Sequence, residues 1–177
     1  MVYVLLADGF EEIEALAPVD ILRRSGIEVQ TVGVSGRSVC GAHQIPVTAD
    51  ITMDEIEMEN LEALILPGGP GHEVLDRSNA VHGLINYTVV NALPLAAICA
   101  APSILGKKHL LAGKRATCFP GYEATLYGSQ VVQDSVVVDG NVITARGAGA
   151  ASEFAFQIVT MLKGEQTANQ VKAAMQY

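Results

Sequence analysis

The chain has no tryptophan, only nine other aromatic residues and just three cysteines among 177 residues. Its eleven basic side chains are outnumbered by nineteen acidic ones, giving a formal net charge of -8. Few aromatics mean that Val, Ile, Leu and Ala must build the core. Three cysteines are an odd count and too sparse for a disulfide framework, so a reducing cytoplasm is the expected setting. With no Lys/Arg cluster there is no footprint for phosphates, and no nucleic-acid partner is expected. No apolar run reaches the ~18–20 residues of a membrane span, so no membrane partner is expected either. Met1–Ala7 lacks a basic flank and soon meets Asp8, Glu11 and Glu12, which reads against a signal peptide. Half of the residues are hydrophobic and 17% are charged, with a mean hydropathy of +0.32. That balance excludes disorder and predicts one core-rich domain over 1–177.

Strand and helix patterns alternate along the chain. Val2–Ala7 reads as a buried strand closed by Asp8-Gly9, and Glu11–Ser25 as a helix ended by Gly26. Pro18 should kink or restart that helix. Ile27–Val34 is the second strand, and Arg37–Cys40 with Gln44–Thr48 a hairpin whose Pro46 belongs at an edge. Leu61–Leu66 is a strand cut off by Pro67-Gly68-Gly69-Pro70-Gly71. Ala80–Asn91 reads as helix, Leu95–Ile98 as strand, Ala100–Leu111 as helix and Ala116–Phe119 as strand. Val131–Val138 and Asn141–Ala145 form a hairpin around Asp139-Gly140, and helices over Ser152–Leu162 and Gln166–Met175 close the chain. Uniformly apolar strands alternating with helices predict an α/β sandwich around a mostly parallel sheet. Sites in such sheets form beyond the carboxyl ends of the strands, here at Asp8–Glu14, Pro67–His72 and Ile98–Pro102.

Cys99 stands among small residues at a strand-to-helix junction, as a nucleophile elbow requires. Two readings are open from this segment alone: a reactive thiol, or a buried cysteine that fills space. A helix N-terminus would favour the thiolate and predicts a pKa below the ~8.5 of free cysteine. Glycines after the third strand either make a plain turn or let amides point at a ligand as an oxyanion hole. Glu11 and Glu12 suit a helix start. Glu14 either joins them in solvent or turns inward, where a protonated carboxyl donates to a thiolate and an ionised one opposes it. His43, His72, His82 and His109 show no metal-ligand spacing, and no metal or cofactor is expected. His82 and His109 read as surface residues, and His43 and His72 as bystanders in loops that could border the site. Cys40 and Cys118 read as structural.

Taken in order, Glu11-Glu12-Ile13-Glu14 with Pro18-Val19-Asp20, Leu66-Pro67-Gly68-Gly69, Ala96–Pro102 around Cys99, and Arg146-Gly147-Ala148-Gly149 before Glu153-Phe154-Ala155 span nearly the whole chain. This set resembles the ThiJ/PfpI superfamily and, within it, the DJ-1-like branch. The resemblance implies a flavodoxin-like three-layer sandwich, a homodimer, Cys99 as the reactive thiol and Glu14 as its protonated partner. It further implies that Gly69 and Ala100 supply oxyanion-binding amides, and that His43 and Phe119 stand at pocket positions. Protease-type members carry a histidine directly after the cysteine; Ala100 is there instead, which disfavours peptidase activity. Phe119 precedes Pro120 where the branch often has a histidine. The activity the resemblance implies is cofactor-free chemistry on small reactive carbonyls, of glyoxalase or deglycase type. The alternative is a redox-responsive or chaperone-like protein in which Cys99 is oxidised.

Overall fold

A computed structural model describes residues 1–177. The elements run β1 (Val2–Leu6), α1 (Glu12–Arg24), β2 (Val29–Gly33), β3 (Ser38–Cys40), β4 (Pro46–Thr48), β5 (Ile51–Thr52) and β6 (Ala63–Leu66). They continue with α2 (His72–Arg77), α3 (Asn79–Val90), β7 (Leu95–Ile98), α4 (Pro102–Lys107), β8 (Arg115–Ala116), β9 (Gln130–Val131), β10 (Val136–Asp139), β11 (Val142–Ala145), α5 (Ala151–Lys163) and α6 (Glu165–Ala174). Seven strands form the main sheet in the order β10-β11-β7-β6-β1-β2-β5. Every pairing in it is parallel except β10–β11.

The period-two geometry of a strand divides β1 between two cores. Val2, Val4 and Leu6 pack with Ile21 and Leu22 of α1, Phe154 and Ile158 of α5, and Ala168 of α6. Tyr3 and Leu5 pack on the opposite face with Leu75 of α2, Val81, Leu84 and Ile85 of α3, and Ile104 and Leu105 of α4. Helices thus cover both faces of the sheet, giving a three-layer flavodoxin-like α/β sandwich. Both faces being buried explains why β1, β6, β7 and β11 carry no exposed residue.

Several elements depart from the sequence expectation. Pro18 neither divides α1 nor restarts it; one helix runs from Glu12 to Arg24. Residues Pro102–Lys107 make a six-residue α4, half the length expected. Of the expected Ala116–Phe119 strand only Ala116 lies in one, β8, which pairs with β9 outside the main sheet. Beyond it, Thr117 N–H donates to Thr144 Oγ1 (3.0 Å) and Phe119 N–H to the Cys99 carbonyl (2.8 Å), so neither joins a ladder. The expected 131–138 strand is divided between β9 and β10. Helix α2 places His72 at a helix start rather than in a loop.

Candidate functional site

Three segments meet at the carboxyl ends of β1, β6 and β7, at the sheet positions where parallel α/β folds place their sites. Cys99 follows β7 directly and has φ +64°, a left-handed conformation uncommon for a residue with a side chain. Two hydrogen bonds hold it there. Its N–H donates to the Ala145 carbonyl at the end of β11, and its own carbonyl accepts from Phe119 N–H, each at 2.8 Å. This turn aims the side chain into the convergence of loops, as an elbow must.

Glu14 lies in the first turn of α1 and is only 1% exposed. Glu11 caps that helix, its Oε2 accepting from Glu14 N–H at 2.7 Å. The Glu14 carboxyl accepts from Gly68 N–H at 3.0 Å and lies within hydrogen-bonding reach of the Cys99 thiol. Burial is the largest influence on it and pushes its pKa up to about 7, with Glu11's charge adding to the rise. The bonds to Cys99 and Gly68 act in the other direction.

Cys99 is 9% exposed. Burial foremost, then the charge on Glu14, pushes its thiol up to about 12, while the amides of Gly69 and Ala100 pull it down. This is opposite to the lowering expected from a helix N-terminus. The reason is geometric: α4 begins three residues after Cys99 and has six residues, so its dipole is small and distant. The two sites are coupled, because a charge on one raises the other. As a pair they release one proton near pH 7 and hold the second far longer.

Gly68 and Gly69 permit this closeness. A Cβ on Gly68 would lie 2.6 Å from both Cys99 Cβ and Glu14 Oε2. Gly69 has φ +75°, and neither its N–H nor that of Ala100 donates to a backbone carbonyl; both face the sulfur. Gly68→Ala is expected to destabilise the fold by ~1–3 kcal/mol through overpacking, and to separate thiol from carboxyl. Urea unfolding together with site-resolved alkylation of Cys99 checks this; unchanged stability and unchanged alkylation would refute it.

His72, expected only to border the site, anchors the glycine loop. Its Nδ1 stands 2.8 Å from the Gly69 carbonyl, which also accepts its backbone N–H at 3.1 Å. The ring is 7% exposed and packs edge-on to Tyr122 with centroids 5.3 Å apart. No signal in the sequence marked this role, because the short α2 that begins at His72 was not legible there.

His43 is exposed and does not face Cys99's partners directly. Its backbone N–H and Nδ1 both meet Glu12, each at 2.7 Å. Burial opposes charge on Glu12, but these bonds to His43 hold its carboxyl below the usual range, and the same contact raises His43. The β3–β4 loop is thereby fastened to the start of α1, assisted by Ala42 N–H on the Phe10 carbonyl at 2.8 Å. Glu11, Glu12 and His43 bring their ligand atoms within 4.8 Å of one another, a cluster that the scattered sequence positions did not suggest. Phe119 flanks the elbow, with its ring half exposed at 46%. All three cysteines are free thiols.

Residues 1–161 match the DJ-1/PfpI family. The chain is 36% identical over 177 residues to the protein DJ-1 homolog B of Arabidopsis thaliana, covering 98% of this chain and 40% of that longer protein. It is 32% identical over 168 residues to a Caenorhabditis elegans protein named a glutathione-independent glyoxalase, covering 94% of this chain and 90% of the relative. A crystal structure of a DJ-1 superfamily protein from Salmonella typhimurium superimposes with a TM-score of 0.94 at 34% identity, covering 99% of this chain and 97% of the other. The order of motifs, the elbow geometry and these matches agree: the chain belongs to the DJ-1/PfpI family.

Proposed function

We propose that this protein is a cysteine-dependent, cofactor-free enzyme acting on small reactive carbonyls, of glyoxalase or deglycase type. The observation that carries the proposal is the buried Glu14–Cys99 pair, which releases its first proton near pH 7 with two free backbone amides facing the sulfur. Those amides offset part of the burial that opposes the thiolate, and Glu14, which ionises at about 7, is the base placed to take the thiol proton as sulfur attacks.

With methylglyoxal the steps balance without an added oxidant. As the sulfur of Cys99 adds to the aldehyde carbon, the Glu14 carboxylate takes the thiol proton and passes it to the new alkoxide, giving a hemithioacetal. The Gly69 and Ala100 amides hold the oxygen while it is negative. Glu14, now a carboxylate, removes the hydrogen on that carbon and an enediol forms. Return of the proton to the neighbouring carbon gives a lactoyl thioester: the aldehyde carbon has been oxidised and the ketone carbon reduced. Water then cleaves the thioester to lactate and restores the thiol. Ala100, standing where a histidine would serve peptide hydrolysis, disfavours a peptidase reading.

The test is lactate formation from methylglyoxal with no glutathione present. Lactate above the protein-free background is expected. Absence of lactate, with Cys99 oxidised by mild peroxide in preference to Cys40 and Cys118, would overturn catalysis in favour of redox sensing.

A further inference from the structure

His72 is the one buried histidine of the four, at 7% exposure. Its Nδ1 lies 2.8 Å from the Gly69 carbonyl, and a carbonyl can only accept, so the proton sits on Nδ1. Nε2 has no hydrogen-bond partner in the protein and is not sealed from solvent. The contact is therefore one-ended. The fold does not need it to satisfy the carbonyl, because the His72 backbone N–H already donates there at 3.1 Å. A second donor on an oxygen already satisfied points to a positional role.

What the contact holds is a glycine. Gly69 has φ +75°, and without a Cβ it takes either sign of φ at little steric cost. A turn of its backbone would swing its N–H away from the Cys99 sulfur, which that N–H faces. No side chain of its own can lock it, since a Cβ there would lie 2.5 Å from the Gly9 carbonyl oxygen and 2.6 Å from the Glu11 nitrogen. The lock must come from neighbours. Glu11 N–H donates to the Gly68 carbonyl at 3.1 Å and fixes the peptide before Gly69; His72 fixes the one after it. The imidazole is itself braced, edge-on to Tyr122 with centroids 5.3 Å apart. Tyr122 N–H donates to the Phe119 carbonyl at 3.1 Å, and Phe119 N–H to the Cys99 carbonyl. One ring thus bridges the glycine loop and the segment hydrogen-bonded to Cys99.

We propose that His72 is a positioning residue: its Nδ1–H locks Gly69 so that the Gly69 N–H stays on the Cys99 sulfur and on any oxyanion formed beside it. The oxyanion half rests on the carbonyl-enzyme reading. The sulfur half does not, and it can be tested without turnover.

Iodoacetamide alkylates a thiolate with loss of iodide, so its rate at Cys99, read by mass spectrometry of that peptide, follows the thiolate fraction. His72→Leu and His72→Asn are the deciding pair. The two side chains share a shape, and only asparagine carries an N–H, on Nδ2 where histidine has Nδ1. His72→Leu should slow alkylation roughly three- to tenfold, the loss of part of an amide hydrogen bond to a charged acceptor. His72→Asn should keep most of the wild-type rate. His72→Phe, with a ring against Tyr122 and no donor, should be as slow as His72→Leu and takes its place if that variant does not fold. A histidine that only fills space gives the opposite sign, because a loosened loop bares Cys99 and speeds alkylation in every variant. A rate for the donorless variant at or above wild type, or His72→Asn as slow as that variant, would overturn the proposal. Absence of lactate formation would instead overturn the catalytic reading and leave this order of rates intact.

Discussion

In the lactate assay, Cys99→Ser is expected to fall by on the order of 10³-fold or more, to the protein-free background. Serine nearly matches cysteine in size, so the elbow should keep its shape, with φ near +64° and the bonds to Ala145 and Phe119 retained. What changes is acidity. A pair that releases a proton near pH 7 cannot extract one from an alkyl hydroxyl, so the attacking anion is lost. No neighbouring group replaces it. Ser103 Oγ is buried and has no hydrogen-bond partner to act as its base, and Cys118 is buried with its thiol pushed up to about 11. Glu14→Gln leaves the nucleophile in place and removes the proton carrier, so a loss of ~10²–10⁴-fold is expected. Lactate production by Cys99→Ser at the wild-type rate would remove the thiol from the mechanism.

The parts of this architecture that were legible in the sequence are those set by local composition. Leu95–Ile98 is bounded by Pro94 and Cys99, so its limits were visible and β7 has the expected ends. The elbow and the glycine loop were visible because each is a run of small residues directly after an apolar strand. Less legible were features decided by distant contacts. Ala100–Leu111 has the composition of a helix, yet Gly106 lies against the chain at Thr125 and Leu126, and His109 turns to φ +58°. Ile51–Thr52 is too short for periodicity to show, and becomes a strand by lying beside Val32 and Gly33. His72 acts on the carbonyl of Gly69, a contact without hydrophobic pattern. For Cys99 the elbow was readable but the direction of its pKa was not. That direction depends on burial and on Glu14, 85 positions away in the chain, rather than on the short helix that follows.

The same pair should be visible in the stability of the protein, with a sign fixed by linkage. The unfolded chain releases the Glu14 proton around the ordinary value of 4.5, whereas the native pair keeps it to about 7. Between those values the native state binds more protons than the unfolded one, so this contribution to stability falls as pH rises and is fully lost above about 7. The gap corresponds to about 3 kcal/mol, a large share of the ~5–15 kcal/mol that holds a typical domain folded. Glu14→Gln keeps the side chain's shape and its acceptor for Gly68 N–H, but has no proton to release. Urea unfolding under reducing conditions from pH 4.5 to 7.5 should therefore show wild-type stability falling by about 3 kcal/mol more than that of Glu14→Gln. The midpoint should move while the denaturant slope stays constant, since the surface exposed on unfolding is unchanged. Parallel curves for the two proteins would mean that Glu14 ionises as an ordinary carboxylate. The opposite changes expected from one substitution, a gain in stability near neutral pH and a loss of lactate formation, follow from one cause. A carboxyl held in an apolar site costs folding energy in proportion to the pKa elevation that lets it carry a proton near neutral pH.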